Sequence, residues 1–465
     1  MNSQIPPIQS PFAVSNIRLF IAFRIFFNAR FYYPVFTILF IDFGLTVSQF
    51  ALMNAVWAAT IVVMEVPSGA LADIWGRRNL LILASILMII EMVLLCIVPR
   101  GYSGLLFTVF LINRVLSGTA EAAASGADEA LAYDALKAFG GESQWRSVLA
   151  MQMRLQSVAF IIAMSLGAAV YDPVFMQRVI SWIGFDIKLT LGHTIRFPIY
   201  LTLCMSFITL FVTLRMKELN VATDDACGPL EQCSQSVKEI FSQTLQAGRW
   251  ILLTPWALVI IAAGFLFDGI IRMVITLTSQ YYRLIEIPEA TFGIIGSLLA
   301  GLGLIIPRIA MKMTERFTPR LNLLSIVGTT IIGLMGMSFF KPIIGLVPAI
   351  ILFSGMYMTG FFVSHYLNQI TPSSHRATVL SFKGLSFNLF YGLLGVLYSI
   401  LLAWLKPRTS ALHPNIDSQQ LEGFVFIQSF QWFPWAFVIG LTIFLFFAAY
   451  QLRSSSMHKQ VNPDN

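Results

Sequence analysis

Long, uninterrupted apolar segments recur along the whole chain and constrain its fold more than any other feature. A helix that crosses the hydrocarbon layer of a bilayer needs about 20 apolar residues, and these segments reach that length. Their apolar residues are continuous rather than alternating, which does not fit the strands of a membrane β-barrel. The segments cover roughly residues 17–41, 47–71, 79–98, 104–131, 146–170, 194–216, 252–282, 290–311, 320–340, 343–369, 375–404 and 430–452. The sequence therefore predicts an all-α integral membrane protein with twelve transmembrane helices.

The composition excludes a water-soluble globular protein. Only 11% of the residues are charged and 57% are hydrophobic, whereas soluble domains carry about 25% charged residues. The net charge of +7 is spread over short loops, without the basic tract that nucleic-acid binding requires. The expected partners are therefore the lipid bilayer and a small solute, and no nucleic acid.

Sequence patterns for catalysis, cofactors and metal binding are missing. No Walker loop occurs, so ATP is not expected to drive the protein. Cys227 and Cys233 share a polar loop, but their spacing matches no common zinc pattern and no histidine lies near them. We expect no enzyme activity, no cofactor and no metal site, while an intramembrane enzyme stays open as an alternative.

A polar stretch divides the apolar segments into six and six. It spans residues 217–249, after an N-terminal six-helix bundle predicted for residues 1–216 and before a C-terminal bundle with a tail over residues 250–465. Lysine and arginine concentrate in the even-numbered loops and the tails, and the positive-inside rule places those parts in the cytoplasm. We expect a multi-pass monomer in the cytoplasmic (inner) membrane, with both termini and the central loop cytoplasmic.

A charged, glycine-containing turn separates the second and third apolar segments. Residues 69–78 have the sequence Gly-Ala-Leu-Ala-Asp-Ile-Trp-Gly-Arg-Arg. This stretch resembles the loop signature G-x-L-a-D-x-x-G-R-[KR], found between the second and third helices of the major facilitator superfamily. The matching positions are Gly69, Leu71, Asp73, Gly76, Arg77 and Arg78. The alternative interpretation is an ordinary charged hairpin between two helices.

The resemblance implies a specific fold. Members of this superfamily have two related six-helix bundles around a central cavity that helices one, four, seven and ten line. A charge inside the membrane is costly, so charged and polar residues on these helices are candidates for substrate binding or coupling. The candidates are Arg24 and Asn28 on helix one, Arg114 and Glu121 on helix four, Asp268 and Arg272 on helix seven, and Tyr357 and His365 on helix ten, together with Gln152 on helix five.

Helix four carries the densest set of polar residues. Its polar positions recur at spacings of three and four, which places them on one face of a continuous helix. These positions are Arg114, Ser117, Glu121, Ser125 and Asp128. The stretch from Arg114 to Ala122 resembles the fourth-helix signature of the superfamily, whose arginine is associated with proton coupling. A structural network that holds the bundle together is the alternative role for these charges.

Other charged residues in the membrane also have structural interpretations. Asp268 and Arg272 are four residues apart and can pair along helix seven. A histidine near a helix end, such as His365, often faces a loop. Arg30 is offset from the polar face of helix one, and the pattern assigns no role to Glu91 in helix three.

These observations predict a secondary active transporter that moves a small organic solute by alternating access, with protons as the coupling ion. Arg24, Arg114 and Arg272 outnumber Glu121 and Asp268 on the cavity-lining helices, which favours an anionic or zwitterionic solute. A drug or metabolite efflux pump for amphipathic compounds is an alternative, although helix five lacks the Gly-Pro-x-x-Gly-Gly pattern of drug/proton antiporters. A transporter-like sensor or scaffold is another.

The charged turn is also expected to form a cytoplasmic gate. In the superfamily, the aspartate of this turn contacts the start of helix eleven when the transporter is open outward, which here pairs Asp73 with residues 371–374. Unpaired N–H groups and the helix dipole favour an anion at such a helix start. Arg77 is expected to meet Asp128 or Asp134 at the end of helix four. The alternative is that these charges serve only topology and solvation.

Overall fold

In a computed structural model the chain is helical, as the apolar segments predict. The structure describes residues 10–101, 104–185, 187–218, 242, 248–371 and 376–461, and within these ranges it contains no β-strand. The helices of the first half are α1 (Ser15–Asn28), α2 (Phe36–Phe43), α3 (Val47–Trp75), α4 (Arg77–Ile97), α5 (Gly104–Ala124), α6 (Ala127–Ala138), α7 (Trp145–Tyr171), α8 (Pro173–Ile183), α9 (Leu191–Thr194) and α10 (Phe197–Arg215). Those of the second half are α11 (Pro255–Thr276), α12 (Thr278–Leu284), α13 (Phe292–Arg316), α14 (Pro319–Met337), α15 (Leu346–Ile370), α16 (Arg376–Leu412), α17 (Ser418–Phe430) and α18 (Trp432–Val461).

Eleven helical stretches of the described chain are long and apolar enough to cross a membrane. They correspond to the second to twelfth predicted segments, which confirms the all-α membrane fold. The first predicted segment, 17–41, is not one helix, because α1 ends at Asn28 and a 3-10 turn at Tyr33–Val35 precedes α2. Pro34 lies in that turn, and its missing N–H group prevents a continuous helical hydrogen-bond ladder. The first span is therefore built from α1 and α2 together.

Two further predicted helices are divided. The spacing predicts one helix over residues 104–131, but Gly126 has φ 76°, a left-handed conformation that separates α5 from α6. The seventh segment, 252–282, divides at Leu277 between α11 and α12. Next to this break, the Thr276 and Thr278 hydroxyls donate to carbonyls of the preceding turn, which bends helices. The first of these two breaks, at Gly126, interrupts the predicted polar face of helix four between Glu121 and Asp128.

The first of two compact units contains residues 1–45, 59–241 and 288–297. In its core, α1, α4, α5, α6 and α10 pack through buried apolar side chains, among them Phe23, Phe27, Leu80, Leu81, Ala84, Met88, Ala120, Ala123, Leu131 and Val212. Gly167 on α7 lies so close to the Phe31 carbonyl that a Cβ atom would be 1.8 Å from the oxygen. Only glycine fits there, and its absence of a side chain lets the break between α1 and α2 pack against α7.

The second compact unit contains residues 46–58, 242–287 and 298–465. One part of its core consists of Ile251, Ala257, Ile261, Val363, Leu367, Val379 and Phe387. Another is aromatic: the Tyr281 ring lies 5.1 Å from Phe340 and 5.4 Å from Phe430, and such aromatic pairs contribute about 0.5–1.5 kcal/mol beyond burial. On α16, a Cβ atom at Gly395 would lie 3.0 Å from the Ala51 carbonyl oxygen, so the start of α3 packs closely against α16.

Candidate functional site

A buried ion pair lies in the membrane-spanning part of the first unit. Arg30, between α1 and α2, donates from Nη1 to Glu91 Oε1 on α4 at 2.9 Å. Arg30 is 3% exposed and Glu91 is fully buried. The Tyr32 hydroxyl also donates to Glu91 Oε1 at 3.4 Å, while Glu91 Oε2 is buried without a hydrogen-bond partner. Because a buried charge is costly without its counter-charge, Arg30 and Glu91 depend on each other.

Arg114 is the second buried cation of this unit. Its guanidinium lies over the rings of Phe36 and Phe40, 5.3 Å and 5.6 Å from their centroids. It donates to Oδ1 of the neighbouring Asn113, and Asn113 Nδ2 in turn donates to the Glu91 carbonyl at 3.0 Å. Within the described residues, Arg114 forms no ion pair with a carboxylate. Cation–π contacts and an amide oxygen thus hold a guanidinium whose charge no carboxylate neutralises directly.

Glu121 is an exposed carboxylate on the same helix. It lies seven residues from Arg114, about 10 Å along the axis of α5 and on nearly the same face. It is close enough to Arg30, Glu91 and Arg24 to interact with them electrostatically. Arg24 is left out of the charge balance because it pairs with Asp128 and Glu129. The remaining group of Arg30, Arg114, Glu91 and Glu121 is neutral with both carboxylates ionised, and it gains one positive charge when Glu121 binds a proton.

Arg24 belongs to a separate ion-pair network. Its guanidinium pairs with Asp128, which is 2% exposed, and with Glu129 Oε1 at 2.7 Å. Asn28 donates to the Arg24 carbonyl at 2.8 Å, a contact along one helix. The expected charge count on the cavity-lining helices left out Asp128 and Glu129. Since both are paired with Arg24, the excess of arginine does not support an anionic solute, and that inference depends on Arg114.

In the second unit, Asp268 and Arg272 form the intrahelical pair that their spacing predicts, with Oδ2 and Nη2 2.7 Å apart. Arg272 Nη1 also donates to Asn388 Oδ1 on α16 at 3.0 Å, and the guanidinium lies 5.6 Å from the Tyr391 ring centroid. Lys383, also on α16, interacts electrostatically with Asp268. Polar side chains of α11 and α16 thus form one connected group.

The remaining membrane-embedded candidates, Gln152, His365 and Tyr357, contact uncharged residues. Gln152 is buried and hydrogen-bonds to Gln156, one turn along α7. His365 stacks on Phe361, 5.9 Å between centroids, and its Nε2 lies 3.0 Å from Gln369 Nε2. Tyr357 is half-buried and packs on α13, where a Cβ atom at Gly303 would lie 3.0 Å from its ring. In the described part of the chain, none of these contacts joins His365, Tyr357 or Gln152 to the charged groups above.

The charged turn places two arginines at the start of α4. Arg77 forms an ion pair with Asp134 on α6, whereas Asp128 pairs with Arg24. Glu218, just after α10, accepts hydrogen bonds from the backbone N–H groups of Arg77 and Arg78 at 2.7 Å and 3.3 Å. An acidic side chain thus neutralises the positive end of the α4 dipole.

The structure also describes Gly76, Arg78 and Gly69 of the expected gate. Gly76 has φ 85°, which favours glycine, and Arg78 Nη2 donates to the Leu214 carbonyl at 2.9 Å. Gly69 is exposed within α3. The Asp73 side chain and residues 372–375 lie outside what the structure describes, as do Cys227 and Cys233.

The sequence patterns did not indicate the Arg30–Glu91 pair, nor that Asn113 and Tyr391 contact the candidate arginines. One signal was available, because a glutamate in the centre of an apolar span needs a cation or a water-filled surrounding. Arg30 was a possible partner for Glu91, but it is offset from the polar face of a continuous helix one. The break after Asn28 gives Arg30 a different direction, and periodicity cannot show such a break.

Comparisons with known proteins agree with this architecture. The family model described as Major Facilitator Superfamily matches residues 18–391. The chain belongs to the Major Facilitator Superfamily. No curated protein sequence matches it. Membership in this superfamily identifies the chain as a multi-pass membrane protein of a transporter family.

Several solved structures share the fold of this superfamily member. One is a bacterial homologue of the human lysosomal transporter Spinster in an inward-facing, unoccupied conformation, with TM-score 0.69 and 16% identity over 96% of this chain and 98% of that one. Another is the nucleoside transporter NupG, with TM-score 0.67 and 13% identity over 94% and 99%. The xylose transporter XylE from E. coli gives TM-score 0.54 and 14% identity over 92% and 96%. At these identities the likeness concerns the fold alone.

Proposed function

We propose that the chain is a secondary active transporter for a small anionic or zwitterionic organic solute, and that protons drive it. The observation that carries the proposal is Arg114, a buried guanidinium without an ion pair to a carboxylate in the described chain. A guanidinium binds a carboxylate or phosphate through two parallel hydrogen bonds, which fixes the orientation of the solute. Superfamily membership supports the coarser part of the proposal, the transport of a small solute.

Glu121 is the proposed proton-binding group. When Glu121 is ionised, the two arginines and two carboxylates of this group balance, so an additional anion has no net electrostatic attraction. When Glu121 binds a proton, one positive charge is left over and an anionic group on Arg114 restores neutrality. Solute and proton then favour each other's binding, which is the coupling that gradient-driven transport requires.

The proposal is tested first by binding. A thermal-shift screen of the purified protein against organic acids, amino-acid-like zwitterions and lipophilic cations should identify an anion or zwitterion that raises Tm. Binding to the native state stabilises by about 2.7 kcal/mol when the ligand is at 100 times its Kd. Arg114→Gln should abolish this shift and Arg114→Lys should weaken it, because lysine keeps the charge but not the planar pair of donors. An unchanged shift in Arg114→Gln would exclude Arg114 as the anion site.

Transport by Glu121→Gln is the second test. In proteoliposomes this variant should lose accumulation driven by a pH gradient and keep solute exchange, because it binds solute but cannot release a proton. Glu315→Gln is the matched control, since Glu315 is exposed and forms no hydrogen bond or ion pair within the described residues. Undiminished proton-driven accumulation by Glu121→Gln would rule out Glu121.

Efflux of amphipathic compounds is the second candidate function. It is favoured by an aromatic cluster in the second unit, where the Phe265 ring lies 5.5 Å from Phe390 and 5.7 Å from Phe387. A lipophilic cation that raises Tm in the same screen, with no response to organic acids, would favour this function.

The location of the protein and its orientation in the membrane are also part of the proposal. We propose that the protein is a monomer in the cytoplasmic (inner) membrane with both termini in the cytoplasm. The orientation of the termini is supported by the concentration of lysine and arginine in the tails and even-numbered loops. Residues 1–216 and 250–465 would then be the two bundles, joined by a cytoplasmic loop. Labelling of a single cysteine from either side of the membrane tests this orientation.

A further inference from the structure

The loop between the fifth and sixth spans contains a short helix. Helix α8, Pro173–Ile183, has eleven residues and none of them is buried. At 1.5 Å per residue it is about 16 Å long, too short to cross a bilayer. Gly184, with φ 96°, ends it.

The start of α8 is fixed to the end of the fifth span. Asp172 Oδ1 accepts hydrogen bonds from the N–H groups of Val174 and Phe175 at 2.8 Å and 3.1 Å. Its other oxygen, Oδ2, accepts from the Ala290 N–H at 3.1 Å within the same compact unit. Asp172 is buried and directly follows Tyr171, the last residue of α7. Helix α8 therefore begins where the chain leaves the membrane.

The exposed face of α8 carries large apolar side chains around a single arginine, Arg178. Spacings of one, three and four residues place Val174, Phe175, Arg178 and Trp182 on one side. Val174 is 60% and Trp182 is 88% exposed. Beyond the helix, Phe185 and Ile187 are 60% and 53% exposed.

A polar residue of α8 is used internally instead. Gln177 Oε1 accepts from the Leu189 N–H at 2.7 Å, and Gln177 Nε2 donates to Ser181 Oγ at 3.3 Å. These bonds hold the following loop against the helix and give both polar atoms of Gln177 a partner within the same segment.

From these contacts we infer that α8 lies in the membrane–water interface on the side opposite the termini, with Trp182 and Phe175 in contact with lipid. The occupant is the bilayer because the chain enters the membrane at both ends of this segment, through α7 and α10. Tryptophan is enriched at this depth, and amphipathic interfacial helices bury their apolar face about 5–10 Å into the headgroup boundary. Arg178 and Lys188, both exposed, suit the lipid phosphates. This inference does not depend on which solute is transported.

Spin-label accessibility tests the inference in the full chain. Cysteine is introduced as Trp182→Cys or Phe175→Cys after Cys96, Cys204, Cys227 and Cys233 are replaced by serine. The protein is reconstituted in nanodiscs of phosphatidylcholine and phosphatidylglycerol. Collision rates with oxygen and with a water-soluble nickel chelate report depth. Ile162→Cys on the exposed surface of α7 is the lipid control, and Asn415→Cys in an exposed loop is the water control.

The expected result is an oxygen-to-nickel ratio at both α8 positions between the two controls, with a depth of about 5–10 Å below the phosphates. Two results would overturn the inference. A ratio equal to that of Asn415 would mean that α8 stands in water. Low accessibility to both reagents would mean that a protein surface, such as a second copy of this chain, covers the helix. Agreement between the Trp182 and Phe175 labels guards against a local effect of either substitution.

Discussion

Arg30 and Glu91 hold opposite charges 2.9 Å apart inside the membrane-spanning part of the first unit, and this contact gives the sharpest expectation for single residues. Glu91→Gln leaves the Arg30 guanidinium buried without a counter-charge. Removing one partner of a buried pair costs about 3–5 kcal/mol, so the free energy of unfolding should fall by about that amount. A denaturant titration in mixed micelles measures it.

The double variant Arg30→Gln/Glu91→Gln is the control for this pair. It removes both charges, so its loss of stability should be clearly smaller than the sum of the two single losses. Additive losses would contradict direct pairing between Arg30 and Glu91. They would also weaken the view that this pair maintains the charge balance around Arg114.

The two carboxylates that pair with Arg24 should differ in importance, because only one is buried. The side chain of Asp128 is 2% exposed, that of Glu129 is 49% exposed, and that of Arg24 is 27% exposed. Glu129→Gln should cost less than about 1 kcal/mol of unfolding free energy, as exposed ion pairs do. Asp128→Asn should cost about 2–3 kcal/mol, somewhat below the loss of a fully buried pair. Equal effects in the same titration would show that burial does not decide the contribution.

The helical spacing of the sequence predicted one ion pair whose partners lie on the same helix. Asp268 and Arg272 pair at the i, i+4 spacing from which they were expected to pair. Pairs between helices were harder: Arg24–Asp128 and Arg30–Glu91 join positions 104 and 61 residues apart. A helical period gives the direction of a side chain around its own axis but not the neighbouring helix that it meets.

Among the elements, the break at Gly126 gives a direct test of backbone conformation. With φ 76° and nothing within 4 Å of an added Cβ, Gly126→Ala should cost about 1–2 kcal/mol of unfolding free energy from backbone strain alone. Gly328 also has open space around an added Cβ, but it lies inside α14 without a positive φ. Gly328→Ala should therefore be neutral or stabilise by up to about 1 kcal/mol. Similar effects of the two substitutions would contradict the observed break.

The membrane spans could be predicted from the sequence, but their interruptions could not. Continuous apolar runs located the eleven stretches that are long and apolar enough to cross a membrane, since hydrophobic length decides what a bilayer accepts. The runs also continue through the breaks near Pro34, Gly126 and Leu277, because both pieces of an interrupted helix are apolar. Helix α8 was missed because it is shorter than a span and lies between two of them.

At the scale of the whole molecule, the cytoplasmic gate that the sequence predicts at Asp73 stays a prediction. An anion at a helix start contributes about 1–2 kcal/mol in a favourable geometry, which shifts a balanced two-state equilibrium roughly tenfold. Asp73→Asn should therefore lower transport and increase the inward-open population without loss of folded protein. Distances between spin labels across the cytoplasmic side would measure this, and an unchanged distribution would exclude the contact.

The central claim is that solute and proton move together through a group that includes Arg114 and Glu121. Its most direct test is a proton-flux measurement in proteoliposomes that enclose a pH-sensitive dye, after a gradient of the solute identified by the thermal-shift screen is imposed. We predict a change of internal pH that follows solute movement in the wild type and in Glu315→Gln, and that is absent in Glu121→Gln while solute exchange continues. Solute movement without any change of internal pH in the wild type would contradict the account.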